Sequence, residues 1–338
     1  MKKVLSSRSC FKLEFENSSN FSGLNLRLSG FNFLTRPSCF LWTLLLAGIL
    51  SFFSFSIALK AESIVKFKLI DGCLVVVRVS IDGKGPFDFM IDTGSDGTAI
   101  DLDLVKELGV KPTSTGILIT AAGARNVPDG YPLHHVQLGS RMVPEVKAHA
   151  MDCASLKLRK IRGIVGQDFL AQFNYFLDFK RHEMTIEEDN ELSGRLTGNS
   201  KRLNYQKLEG RWMVLLPQEA GPALKMVLDA GANELVLYDC EKLSLDIDNS
   251  SLRPVQVATL MGTQHLQAAR LRKFEVGGIV LQNLMVILAK NGTGVEALPE
   301  DGSLPARLFN GIYFNNAQGQ VALNPEFART TQVVFNRQ

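Results

Sequence analysis

Beyond residue 62 the chain alternates apolar and polar positions in short runs broken by Gly, Asp, Asn and Ser, a pattern that predicts strands. Val65-Lys-Phe-Lys-Leu69 alternates, and Cys73-Leu-Val-Val-Val-Arg-Val79 follows as a more continuous apolar run. Asp82-Gly-Lys-Gly85 predicts the turn of a hairpin, because Asp and Gly tolerate the positive φ that such turns require. Leu102 to Gly109 predicts a short helix ending at its glycine, and Asp239 to Leu245 a second. The most informative run is Phe87-Asp-Phe-Met-Ile-Asp-Thr-Gly-Ser95, after which alternation resumes through Thr98 and Ile100. It predicts a buried strand, a sharp turn and a second strand, with the Asp92 carboxylate at the edge of a core. A carboxylate there is costly unless hydrogen-bonded, and Thr93, the Gly94 amide and Ser95 are suitable donors.

The pattern then recurs. Phe87 to Ser95 aligns without a gap to Leu224-Lys-Met-Val-Leu-Asp229-Ala-Gly-Ala232, 137 residues on. Val136-Gln-Leu-Gly-Ser140 matches Phe274-Glu-Val-Gly-Gly278 at an offset of 138, and Gly166 to Asn174 matches Gly302 to Asn310 at 136. Three matches in one order, at nearly constant offset, predict a duplicated lobe. A repeat of this length is too long for a solenoid. The first lobe runs over 62–191 and the second over 202–327, joined by a polar, Gly-containing linker at 192–201 and followed by a tail at 328–338.

Residues 1–39 are unpatterned, and 40–59 are continuously apolar and uncharged between Arg36 and Lys60. This segment predicts an N-terminal hydrophobic helix close to the ~20 residues that cross a bilayer. Two readings stay open: a retained membrane anchor, or a signal segment cut near Ser56-Ile57-Ala58. Lys2, Lys3, Arg8 and Arg36 place the N-terminus inside and the folded part outside the cytoplasm. The net charge of +3 is not clustered in a way that calls for nucleic acid. Of five scattered cysteines only Cys73, Cys153 and Cys240 fall in the lobes, which predicts buried thiols or at most one bridge. His134, His135, His149, His182 and His265 lack ligand spacing, so no metal is expected, and no fingerprint of a nucleotide cofactor or an activated serine occurs.

Apolar-apolar-Asp-Thr-Gly-Ser at 90–95, followed by Ile164-Val165-Gly166, resembles the pepsin-like and retropepsin-like aspartic proteases, and the resemblance spans 62–327. It implies an all-β, bilobal acid-protease fold: two β-barrel-like lobes related by a pseudo-twofold axis, bringing Asp92 and Asp229 together as a catalytic pair. Thr93, Gly94, Ser95, Gly231 and Gly166 would support the two loops. Ala122 and Gly123, with Gly262 in the second lobe, would belong to flaps that close over substrate. The implied reaction is hydrolysis of protein or peptide substrates by an activated water, without a cofactor. Ala230 replaces the second threonine and Ala232 the serine, leaving Asp92 as the carboxylate with a neighbouring hydroxyl. That asymmetry makes Asp92 the expected ionised base and Asp229 the proton carrier. Aligning Glu300-Asp301-Gly302 with Ile164-Val165-Gly166 puts charge where apolar support is expected, so the second lobe reads as a loosened copy. Two alternatives follow: a homodimer using two copies of Asp92, or a non-catalytic extracytoplasmic peptide-binding pseudoprotease.

Overall fold

The computed structural model describes residues 63–328, apart from 121–122, 154–159, 188–190, 219–220, 241–242, 244, 260–261 and 292–297. The apolar segment 40–59 and the residues before it lie outside the described residues, as does most of the tail and part of the helix expected after Asp239. Among the described residues no helix is long and apolar enough to cross a membrane.

The first lobe begins with β1 (Ser63–Lys66), β2 (Lys68–Ile70), β3 (Leu74–Ile81), β4 (Lys84–Ile91) and β5 (Ala99–Asp101). Helix α1 (Leu102–Leu108) follows and stops at Gly109, whose φ of 73° closes it as the sequence predicts. Then come β6 (Ser114–Thr120), β7 (Gly123–Asp129), β8 (Tyr131–Leu138) and β9 (Arg141–Met151). The lobe ends with β10 (Gly163–Val165), α2 (Gln167–Leu170), β11 (Asn174–Asp178) and β12 (Glu183–Glu187). The stretch expected to be a plain linker contains one helical turn, α3 (Glu191–Arg195). The second lobe comprises β13 (Lys201–Leu208), β14 (Arg211–Leu216), β15 (Leu224–Asp229), β16 (Leu235–Tyr238), β17 (Ile247–Thr259) and β18 (Gly262–Val276). It continues through β19 (Ile279–Ala289), β20 (Gly302–Pro305), a 3₁₀ turn (Ala306–Leu308), β21 (Gly311–Asn315) and β22 (Gln320–Leu323).

The order β3-β4-β10-β5-β9-β8 closes on itself where Val79 pairs with Leu138, giving a six-stranded barrel. Val75, Val77 and Val79 of β3 point inward and are fully buried, which is what the apolar run is for. The turn between β3 and β4 is the expected one, with Asp82 and Gly83 at φ 49° and 72°. The second lobe repeats the arrangement as β14-β15-β20-β16-β19-β18, but no closing pair occurs among the described residues. It runs on into a platform, so that one thirteen-stranded sheet spans both.

The platform, β1-β12-β11-β21-β22-β13, takes three strands from each half. At its centre Phe176 pairs with Tyr313, flanked by Tyr175 with Phe314 and Leu177 with Ile312. Phe176 and Tyr313 are themselves equivalent residues of the two copies, so the pseudo-twofold axis passes between them. Tyr175 stacks on Phe314 at 4.7 Å and Tyr205 on Trp212 at 5.0 Å. Cys73 and Cys153 are buried free thiols.

Candidate active site

In each lobe a strand lies between the two that flank a turn. β10 runs parallel to β4 and antiparallel to β5, with Ile164 opposite both Met90 and Ala99. β20 does the same between β15 and β16, with Ser303 opposite Val227 and Val236. The chain therefore leaves β4 at Asp92, and β15 at Asp229, over a braced support: the Asp92 amide donates to Val165 O at 3.1 Å.

This register corrects the sequence alignment. Gly302 is equivalent to Gly163, because a Cβ on Gly163 would lie 2.4 Å from Ala99 O and one on Gly302 2.2 Å from Val236 O. The counterparts of Ile164-Val165-Gly166 are Ser303-Leu304-Pro305, three residues beyond the run expected. The charges at 300 and 301 are consequently not under the loop. Buried Glu300 accepts from Arg211 at 2.9 Å, Arg211 also reaches Asp96 of the first loop at 3.4 Å, and Asp301 accepts the Lys225 amide at 2.8 Å. Both carboxylates are hydrogen-bonded, Glu300 through Oε1 and Asp301 through Oδ2.

The two loops meet reciprocally. Gly94 N donates to Asp92 Oδ1 at 2.9 Å, and Gly231 N to Asp229 Oδ1 at 2.7 Å. A Cβ on Gly94 would stand 2.7 Å from the carboxyl carbon of Asp229, and one on Gly231 2.9 Å from that of Asp92. Each carboxyl thus packs on the other loop's glycine. Asp92 keeps partial solvent access. Loss of solvation, then the charge of Asp229, push its carboxyl well above the usual range, against the Gly94 hydrogen bond.

Thr93 joins the loops from one side only. Its buried hydroxyl donates to Leu228 O at 2.6 Å and accepts from Ala230 N at 2.9 Å. Ala230 has no hydroxyl to return. Gln167, which the sequence reading missed, braces the first loop instead: its Nε2 donates to Thr93 O and to Tyr205 OH, both at 2.8 Å, tying the loop to β13. The signal was a polar residue within the buried run from Gly163 to Leu170. Asp168 accepts from the Thr98 amide at 3.0 Å and the Thr98 hydroxyl at 2.7 Å, holding the far end of the loop. Gly166 behaves as expected, since a Cβ there would meet Gly97 O at 2.4 Å.

The serine does not. Ser95 Oγ donates to Gly97 O at 2.8 Å and gives Asp92 nothing. The hydroxyl that reaches the pair comes from Ser303, which donates to Asp229 Oδ2 at 2.9 Å. Of the expected flap residues, Gly123 opens β7 opposite Thr120 and Gly262 opens β18 opposite Thr259, each at the tip of a hairpin. Ala122 lies outside the described residues.

A family model described as aspartyl protease matches residues 77–169 and 219–304, one segment in each lobe and just over half of the chain. The chain belongs to the aspartyl protease family. No sequence among curated proteins matches it.

Proposed function

We propose that the chain is an aspartic endopeptidase that hydrolyses peptide bonds with a water held by Asp92 and Asp229. The observation that carries this reading is the reciprocal packing of each carboxyl on the opposite loop's glycine, which puts each within reach of the other's charge. Two carboxyls that close do not both ionise, so one is a base and the other an acid. The ionised member takes a proton from water as the water oxygen bonds to the peptide carbonyl carbon. The protonated member gives its proton to the carbonyl oxygen, producing a gem-diol. When the C–N bond breaks, the amine leaves with the first proton and a diol hydroxyl returns the second, restoring the pair. Asp229 of the same chain fills the place opposite Asp92, so the pair needs no second copy. The apolar segment 40–59 and its basic flank support an extracytoplasmic setting for this activity.

The test is cleavage of an unfolded protein by the full chain between acid and neutral pH. Asp92→Asn and Asp229→Asn are each expected to lower kcat/KM by about a thousandfold or more, from loss of the acid or the base. Activity that survives Asp229→Asn but not Asp92→Asn would point to a homodimer. Absence of cleavage by the unaltered chain at every pH would leave a peptide-binding module.

A further inference from the structure

The two halves of the pair are not equally served by their surroundings, and the difference runs opposite to the one the loop sequences imply. Among the described residues Asp92 accepts one hydrogen bond from a neutral donor, the Gly94 amide at 2.9 Å. Asp229 accepts two, the Gly231 amide at 2.7 Å on Oδ1 and the Ser303 hydroxyl at 2.9 Å on Oδ2. The serine of the first loop is turned away to Gly97 O. Donors aimed at a carboxylate favour its charged form, and one added donor decides which of two carboxyls this close ionises. We propose that Ser303 sets the asymmetry of the pair: its hydroxyl holds Asp229 as the ionised base and leaves the shared proton on Asp92, the acid.

Three features of the fold make this a built arrangement. Ser303 occupies the position that Ile164 takes in the first lobe, where the side chain is apolar and cannot donate. The strand carrying it is fixed on both sides, opposite Val227 of β15 and Val236 of β16. Gly302 before it allows the backbone to come against Val236 O, which brings β20 close enough for a side chain as short as serine to reach Asp229. The raised proton affinity of the Asp92 carboxyl agrees with the assignment. Ser303 touches no reacting atom; it is a positioning residue that acts through Asp229.

The inference rests on the pair being the reactive centre, and the experiment separates the two. In the pH profile of kcat/KM the acid limb reports ionisation of the base. Ser303→Ala removes a donor from the charged form of Asp229, so the acid limb is expected to move up by about one pH unit, and Ser303→Thr to restore it. Ser95→Ala is expected to move the limb less than Ser303→Ala does. An acid limb that stays put in Ser303→Ala while both Asn variants abolish cleavage overturns this inference and leaves the pair standing. Titration of the full chain with ¹³C-labelled aspartate carboxyls, assigned through the Asn variants, reads the same shift without turnover. There the Asp229 resonance should ionise at lower pH than that of Asp92 and lose that order in Ser303→Ala. The reverse order in the unaltered chain sinks the proposal even if no substrate is ever cleaved.

Discussion

Asp92 holds its proton to higher pH in the fold than in the unfolded chain, through burial first and the Asp229 charge second. The folded state therefore binds more protons than the unfolded one between the ordinary carboxylate range and the raised value. Across that window stability falls as pH rises, and the full stability is present below it. Asn does not titrate, so Asp92→Asn should be the more stable protein at neutral pH, with the two curves converging in acid. Urea midpoints measured at several pH values check this, and parallel curves would contradict it.

At the scale of elements, the braced turn is what both lobes are built to present. Gly166 passes so close beneath the first turn that a Cβ would meet Gly97 O at 2.4 Å, and backbone on both sides leaves little room to yield. Gly166→Ala is expected to cost about 1–3 kcal/mol by overpacking and to lower activity through a displaced Asp92. Thermal unfolding and kcat/KM on one preparation check both effects. Much of this was legible in the sequence. The apolar run into Asp92, its echo at Asp229 and the glycine at 166 all announce close packing through residue type. Ser303 was not legible, because Gly302, which lines up in sequence with Gly166, is the structural counterpart of Gly163, and only strand pairing distinguishes the two. The orientation of Ser95 was equally hidden: a hydroxyl beside a carboxylate has a nearby carbonyl as a rival acceptor, and here Gly97 O wins. The pairing of Glu300 with Arg211 joins residues 89 positions apart, beyond the reach of any local pattern.

For the whole molecule, the halves are held together by the shared platform, by Thr93 and by Arg211. Arg211 sits between the carboxylates of Glu300 in the second lobe and Asp96 in the first, and Glu300 is almost fully buried. Arg211→Met should cost about 3–5 kcal/mol, mostly because Glu300 is left as an uncompensated buried charge. Adding Glu300→Leu should recover a large part of that loss. Denaturant unfolding of the single and double variants checks the expectation, and equal stability of the two would refute it. The one-sided link through Thr93 bears on the order in which the molecule is made. Thr93 finds its partner Ala230 only 137 residues later, and Ser303 follows Asp229 by a further 74. During synthesis the first barrel can close while Asp92 still faces no second carboxyl. The carboxyl pair is therefore assembled late, only after the second lobe has been made.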